Sequence, residues 1–389
     1  MIKNYRPHWM TEELDALADM ADRFVADEIM PNQERYFEEG ATDRELWLKA
    51  GEAGLLLPDI SAEYGGSDGN FAYSAVFARS LCLAGDTSFR AGQQIHLIAS
   101  HYIARYGTEE QKQEWLPKLA SGEVIAGMGM TEPGGGTDLK NARTRAKLDT
   151  ESDTYTINGS KTFITNGSTA DILILVTNTD PENKKNGLSL FIFETKTPGF
   201  RVGKRLKKVG LHGSDTCELY FDDCKVPASS VLGGKPGYGL QQMVADLNYE
   251  RTLAGVNCAA VMEHAYNVTR EYALERDIYN GKLMNLQLTR ISLAEVKTVA
   301  TIGRIFTDYT VHAMCEGTLT SDMACMSKWW VTDQHCEIVS KCLQLFGGHG
   351  YMLEYPIARM FVDSRIEPIY AGANELLKDI IGRGIATRG

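Results

Sequence analysis

The hydrophobic period of this 389-residue chain changes twice, and that alternation constrains the fold more than any single motif does. Up to about residue 120 the apolar residues recur at helical spacing. Met10–Ile29 opens with Thr11-Glu12-Glu13, an N-cap followed by first-turn carboxylates, and then sets Leu14, Leu17, Ala21 and Phe24 on one face. Thr42–Ala53 repeats the pattern, and Phe71–Leu83 and Ala91–Tyr106 read as buried helices. Thr108-Glu109-Glu110-Gln111 is a capping-box start for a helix reaching Leu119. From about Val124 to Val231 the sequence reads as strands, with Asn158-Gly159 and Asn166-Gly167 expected to turn between them. Helical spacing returns in four long stretches, about 240–274, 285–315, 320–346 and 374–386, which suggest a bundle. The expected organisation is a helical domain over 1–123, a β domain over 124–238 and a four-helix bundle over 239–389. A chain of this length exceeds one ordinary hydrophobic core.

Composition narrows the functional classes. Forty Lys and Arg stand against fifty-one Asp and Glu, a net charge of −11, which argues against a surface built to hold nucleic-acid phosphates. Apolar runs such as Ile172–Val176 and Leu188–Phe193 are strand-sized, far short of the roughly 20 residues that span a bilayer. Met1–Leu14 has no apolar stretch behind its charges and does not read as a secretory signal. The eight cysteines include no Cys-x-x-Cys pair. They read as reduced thiols, not a disulfide frame or a metal site, and the expected compartment is cytoplasmic, or matrix-like after removal of a targeting peptide.

Two glycine-rich segments stand out. The first, Gly129-Met130-Thr131-Glu132-Pro133-Gly134-Gly135-Gly136-Thr137-Asp138, can press backbone N–H groups against a flat or anionic ligand. It lacks the spacing and the βαβ setting of a dinucleotide fingerprint. The second is Gln344-Leu345-Phe346-Gly347-Gly348-His349-Gly350-Tyr351, followed by Glu354, Arg359 and Asp363. Together they resemble the two signature segments of the acyl-CoA dehydrogenase flavoproteins; the first departs only at Asn141, where a small residue is usual. The resemblance implies an α+β fold with an N-terminal all-α domain, a middle β-barrel or sandwich and a C-terminal four-helix bundle.

That resemblance implies one FAD per chain. Met128, Met130, Thr131, Gly136 and Thr137 would line the flavin, with Phe163 stacking near its ring and Ile164 and Thr165 alongside. An aromatic face suits a large ring, and hydroxyls tune its electron demand. Arg276, Tyr279 and Gln287 match a segment that reaches a neighbouring subunit's FAD pyrophosphate, although Tyr279 replaces a usual Phe and Asn280 a usual Gly. Gln344, Gly347 and Gly348 would meet that cofactor from the partner chain, which implies a dimer and, for the family, commonly a homotetramer built as a dimer of dimers. Asn374 and Glu375 would assist the cofactor, since Ala373 stands where Thr or Ser usually contacts it.

Desaturating an acyl thioester needs a carboxylate at the α-carbon. Many members carry that Glu at the position of Ala371, which cannot accept a proton. Glu250, followed by Arg251, matches the base of the long-chain and isovaleryl-CoA branches, which also lack the C-terminal Glu. Burial should raise its pKa, with Arg251 opposing the rise. Thr137, Asn248, Arg251, Ala371 and Gly372 are the expected substrate contacts, the Ala371 N–H serving as a backbone donor to the thioester carbonyl. The expected reaction is α,β-dehydrogenation of an acyl-CoA, with an electron-transfer flavoprotein as acceptor. The alternatives are an acyl-CoA oxidase, a nitroalkane oxidase (opposed by the missing Asp at 371), an acyl-carrier-protein dehydrogenase, or a non-catalytic binding protein that keeps the fold. Polar residues Arg90, Gln93, Gln94 and His96 near the start of the 91–106 helix leave branched, long and polar-substituted acyl chains all open.

Overall fold

The structure is a computed structural model that describes residues 5–138, 141–183 and 186–387. Six helices come first: α1 (Glu12–Phe24), α2 (Gln33–Glu39), α3 (Arg44–Glu52), α4 (Phe71–Ala84), α5 (Phe89–Tyr106) and α6 (Glu109–Ala120). The Thr11 hydroxyl caps α1 by accepting from Leu14 N, and Thr108 and Gln111 close the expected capping box on α6. The first helical stretch does not stay α to Ile29; Val25–Ile29 widens into a π turn before a short 3₁₀ segment carries Pro31. The α5 helix begins two residues earlier than its apolar pattern, because the Asp86 carboxylate accepts from the N–H groups of Ser88, Phe89 and Arg90.

Seven strands follow: β1 (Ala126–Gly129), β2 (Arg145–Asp149), β3 (Thr154–Thr165), β4 (Ile172–Asn178), β5 (Leu188–Glu194), β6 (Phe200–Arg205) and β7 (Thr216–Pro227). They form one curled sheet in the order β1-β4-β2-β3-β7-β6, with β5 on β4. Curling lets β4 meet β1 and β5 and touch β2 at its end. The strand is buried on both faces, and its side chains divide by period two. Ile172, Ile174 and Val176 join the core shared with the N-terminal helices, and Leu173 and Leu175 join a second core with Phe191, Phe193 and Phe221.

Asn158-Gly159 is not the turn its sequence suggests. β3 runs straight through it, with a register shift between Ile157 and Gly159. Asn158 exchanges hydrogen bonds with Asp223 on β7, and a Cβ at Gly159 would lie 2.7 Å from the Thr144 Cα. A bulge that needs glycine for close approach leaves the same dipeptide as a turn. Asn166-Gly167 does turn the chain, with Gly167 N donating to Ile164 O.

The rest is α7 (Gly239–Glu275), a small hairpin of β8 (Asp277–Ile278) and β9 (Gly281–Lys282), then α8 (Gln287–Cys315), α9 (Ser321–Phe346), α10 (Pro356–Ser364) and α11 (Asn374–Thr387). α7, α8, α9 and α11 are the four expected helices of the bundle, with α10 added between the last two. α7 spans 37 residues and is apolar on several sides because it packs against α4, α8 and α9 at once. Among the described residues no helix is long and apolar enough to cross a membrane, no His/Cys/Asp/Glu group has the spacing of a metal site, and all eight cysteines are free thiols.

Candidate active site

Glu250 stands in the first half of α7, facing α5. Tyr102, on the last turn of α5, donates its hydroxyl to Glu250 Oε1 at 3.3 Å. Glu250 is partly buried and only in part open to solvent. Desolvation, with a smaller push from the Asp246 carboxylate, lifts the Glu250 pKa from 4.5 to about 7; the Tyr102 hydrogen bond and the Arg251 charge pull the other way. A carboxyl at that value is half-ionised near neutrality, where a general base works best.

Arg251 is buried against the C-terminal loop. One guanidinium nitrogen donates to Cys325 Sγ at 3.3 Å, and another lies 3.7 Å from where a Cβ on Gly372 would sit. Its Nε is enclosed without a partner among the described residues. Above it, Ala371 and Gly372 both take left-handed backbone angles, φ 52° and 90°. That geometry is costly for Ala371 and turns its N–H out of any helix, so among the described residues the N–H has no partner. The loop is held by Lys328, fully buried on α9, which donates to Gly372 O at 2.9 Å and to Asn374 Oδ1 at 3.0 Å. The Asn374 amide nitrogen in turn reaches Trp329 O, Thr332 Oγ1 and Asp333 Oδ1. The Asn374 side chain, expected to assist the cofactor, is a staple between the loop and α9. Glu375, beside it, points to solvent.

A second cluster forms where the glycine-rich segment meets β3. Met128 is a buried residue of β1, and the chain then leaves the sheet. Thr162 N donates to Thr131 O at 2.9 Å, which sets Thr131 beside Phe163. Phe163 sits at a register shift of β3 with φ 60° and 67% of its surface exposed, while Ile164 points into the core and Thr165 pairs with Thr216. An exposed aromatic in a strained backbone position is expensive unless something covers it. The buried Lys161 ties Met130 O to Glu132, and Glu132 also accepts from the backbone N–H groups of Arg143 and Thr144. Beyond this clamp, Gly134, Gly135, Gly136 and Thr137 are exposed, and a Cβ on Gly135 would meet nothing within 4 Å.

Arg276, Tyr279 and Gln287 form a third group, at the far end of α7. Arg276 lies 26 residues after Glu250 on a helix rising 1.5 Å per residue, so roughly 39 Å separates them along the axis. Tyr279 and Asn280 are the two-residue loop of the β8–β9 hairpin; Tyr279 takes φ 51° and is 90% exposed. The hairpin therefore turns without glycine at either loop position, with Tyr279 in the left-handed region. The end of α9 arrives at the same place: Tyr272 stacks on Phe346 at 4.0 Å and donates to Phe346 O. Gln344, Gly347 and Gly348 are exposed there, with open space at both glycines. The two groups are brought together with each other and kept away from Glu250. Asn248 is half-buried, and its carbonyl accepts from the Thr252 hydroxyl.

Several residues at the site carry no local sequence signal. Tyr102 is 148 positions from its partner, and nothing near either residue announces the pair. The same holds for Asp59, a buried carboxylate that accepts from Tyr249 OH at 2.7 Å and His101 Nε2 at 3.1 Å, fixing the residue before Glu250. Lys328 went unread in the sequence although it carries a signal: a lysine between apolar neighbours on α9 needs a buried acceptor.

Three family models cover nearly all of the chain: Acyl-CoA dehydrogenase, N-terminal domain, over residues 11–123; middle domain over 127–224; and C-terminal domain over 237–386. The chain belongs to the acyl-CoA dehydrogenase family. It is an enzyme of that type, an oxidoreductase, with 36% identity over 378 residues to the mitochondrial long-chain specific acyl-CoA dehydrogenase of Sus scrofa, a match covering 96% of this chain and 87% of that protein. Among solved structures, an acyl-CoA dehydrogenase from Geobacillus kaustophilus superposes with a TM-score of 0.94 at 38% identity, covering 98% of this chain and all (100%) of that one. An acyl-CoA dehydrogenase complexed with FAD from Bacillus anthracis superposes with a TM-score of 0.92 at 29% identity, covering 99% of this chain and 68% of that one.

Proposed function

We propose that the protein carries out FAD-dependent α,β-dehydrogenation of an acyl-CoA thioester with Glu250 as the base. The observation that carries this reading is the partly buried Glu250 carboxyl, held by Tyr102 and lifted to about 7, one residue before the Arg251 that packs against the loop whose family carboxylate position is Ala371. The reaction takes a proton from the α-carbon and a hydride from the β-carbon, leaving a double bond between them. Glu250 receives the proton. Tyr102 uses one lone pair of Oε1, so both carboxylate oxygens keep acceptor capacity for that proton. Tyr102 keeps the carboxylate ionised enough to act while the apolar surroundings keep it basic. The Ala371 N–H, held outward by the loop, donates to the thioester carbonyl and acidifies the α-proton; Lys328 and Asn374 fix that loop and so fix the donor. Arg251 beneath Gly372 adds positive charge under the same carbonyl.

The chain fits the cofactor on its own terms. The uncovered Phe163 ring, the hydroxyl of Thr131 beside it and the open glycines 134–136 suit a flat aromatic ligand with polar edges. FAD, when bound, supplies the acceptor for the hydride. Arg276, Tyr279, Gln287, Gln344, Gly347 and Gly348, some 39 Å along the bundle from Glu250, would hold the pyrophosphate end of the cofactor in a second copy, which makes a homotetramer or its constituent dimer the working unit. An electron-transfer flavoprotein is the proposed acceptor for the reducing equivalents. The test is Glu250→Gln. It should keep its yellow flavin and lose anaerobic bleaching by acyl-CoA by about 10²–10⁴-fold or more. Bleaching at near wild-type rate would remove Glu250 from the mechanism.

A further inference from the structure

Of the four polar residues near the start of α5, three are spoken for. Arg90 pairs with Glu367 at 3.2 Å, Gln93 donates to Leu56 O, and His96 bonds Leu119 O and Ala126 N. Gln94 is different. It is 8% exposed, and its amide nitrogen is enclosed with no partner among the described residues.

Its direction follows from its neighbours on the helix. At 100° per residue, taking Arg90 as zero, Gln94 lies at about 40°, Ile98 at about 80° and Tyr102 at about 120°. Arg90 reaches Glu367 on the C-terminal loop and Tyr102 reaches Glu250 on α7. Gln94 lies between those two both around the helix and along it, in the sector that faces the candidate site. The α7 side has a matching register. Tyr106 meets the Gln242 carbonyl, Arg105 meets Asp246, and Tyr102 meets Glu250, so the helices run antiparallel in steps of three or four residues. Continuing that register sets Ile98 level with Ala254 and Gln94 level with Asn257. Ala254 is small and buried, and Asn257, fully buried, accepts from Cys82 Sγ while its amide nitrogen is enclosed with no partner among the described residues. The Arg90 Nε is a third. All three orphaned groups are donors. Leaving a buried donor unpaired costs roughly 1–3 kcal/mol each, so donors that the register sets at neighbouring levels call for an acceptor.

We propose, resting on the dehydrogenase reading above, that the acyl pocket takes a thioester whose chain carries a neutral acceptor oxygen, a hydroxyl or carbonyl, several carbons beyond the reacting bond, and that Gln94 is the specificity-determining residue that binds it. A second carboxylate is disfavoured, because the Arg90 charge is already cancelled by Glu367, which also accepts from the Tyr370 hydroxyl. An unsubstituted alkyl chain would displace any water from these donors and return nothing to them.

The test compares ω-hydroxyacyl-CoAs with unsubstituted acyl-CoAs of the same length, from about four to ten carbons, a range chosen around the roughly 12 Å of helix rise between Tyr102 and Gln94. Two readouts are used: second-order bleaching of the wild-type holoenzyme, and calorimetric binding to the Glu250→Gln holoenzyme, which needs no turnover. At the best length the hydroxyacyl thioester should be preferred at least about tenfold in both, and Gln94→Leu should erase or invert the preference. Equal or better handling of the unsubstituted chain by the Gln94-containing enzymes overturns the inference, with or without a folded Gln94→Leu. If no thioester bleaches the wild type but the calorimetric preference persists, the dehydrogenase reading fails and the Gln94 assignment stands.

Discussion

Glu250 is held at a cost to stability, and that cost has a pH signature. Burial lifts its pKa from 4.5 to about 7, so the folded protein favours the protonated carboxyl. The sign follows directly: a folded-state pKa above the unfolded one gives a contribution that is fully present below about pH 4.5 and is lost as the pH rises through about 7. Linkage converts that difference to roughly 3 kcal/mol at alkaline pH, and the partial opening of the cleft to solvent reduces it to about 1–3 kcal/mol. Glu250→Gln keeps the shape and an acceptor for Tyr102 but carries no charge at any pH. Near pH 4, where the carboxyl is mostly protonated in both folded and unfolded states, the variant and wild type should therefore have closely similar thermal midpoints. Toward pH 8 the variant should become the more stable, by a few degrees. The scans need equal protomer concentration and saturating FAD, because ligand and assembly shift the midpoint by mass action. A Glu250→Gln midpoint that falls below wild type at pH 8, or a difference that does not change with pH, would refute the claim that the carboxyl is held protonated by its surroundings.

Two other perturbations probe the supports of the site. Asp59→Asn weakens the buried anchor of Tyr249 and His101; it should lower stability by about 1–3 kcal/mol and slow flavin bleaching, whereas an unchanged bleaching rate in a folded variant would show that the anchor does not position Glu250. Arg276→Ala should lose FAD on extensive dialysis and loosen the oligomer with it, read by absorbance and light scattering; full flavin content in an unchanged assembly would exclude a cross-subunit role.

Most of the fold could be read from the sequence because the period of its apolar residues is strong and the helices are long. Thr11 and Thr108 marked helix starts that the structure keeps, and the four bundle stretches match α7, α8, α9 and α11 closely. The misread Asn158-Gly159 has a physical cause: β3 pairs on both sides with β2 and β7, and that pairing overrides the local turn preference. At the site, Glu250 and Ala371 were visible as a gain and a loss at two positions. Their supports were not, since Tyr102, Asp59 and Asn374 act through contacts between segments far apart in the chain. Asn374 shows the limit most clearly: as a side chain beside a functional loop it invites a cofactor role, and only the contacts with α9 reveal that its amide is already used.

The most direct measurement of the central claim is the pH dependence of anaerobic flavin bleaching at low acyl-CoA concentration, wild type against Glu250→Gln. Under those conditions the rate reports the free enzyme's groups. The wild-type rate should climb tenfold per pH unit at the acid end, bend at about 7 and then level, following ionisation of Glu250. The Glu250→Gln rate should be lower by several orders of magnitude and lack that bend. A wild-type profile with no inflection near 7, or a Glu250→Gln variant that keeps it, would contradict the assignment of Glu250 as the base.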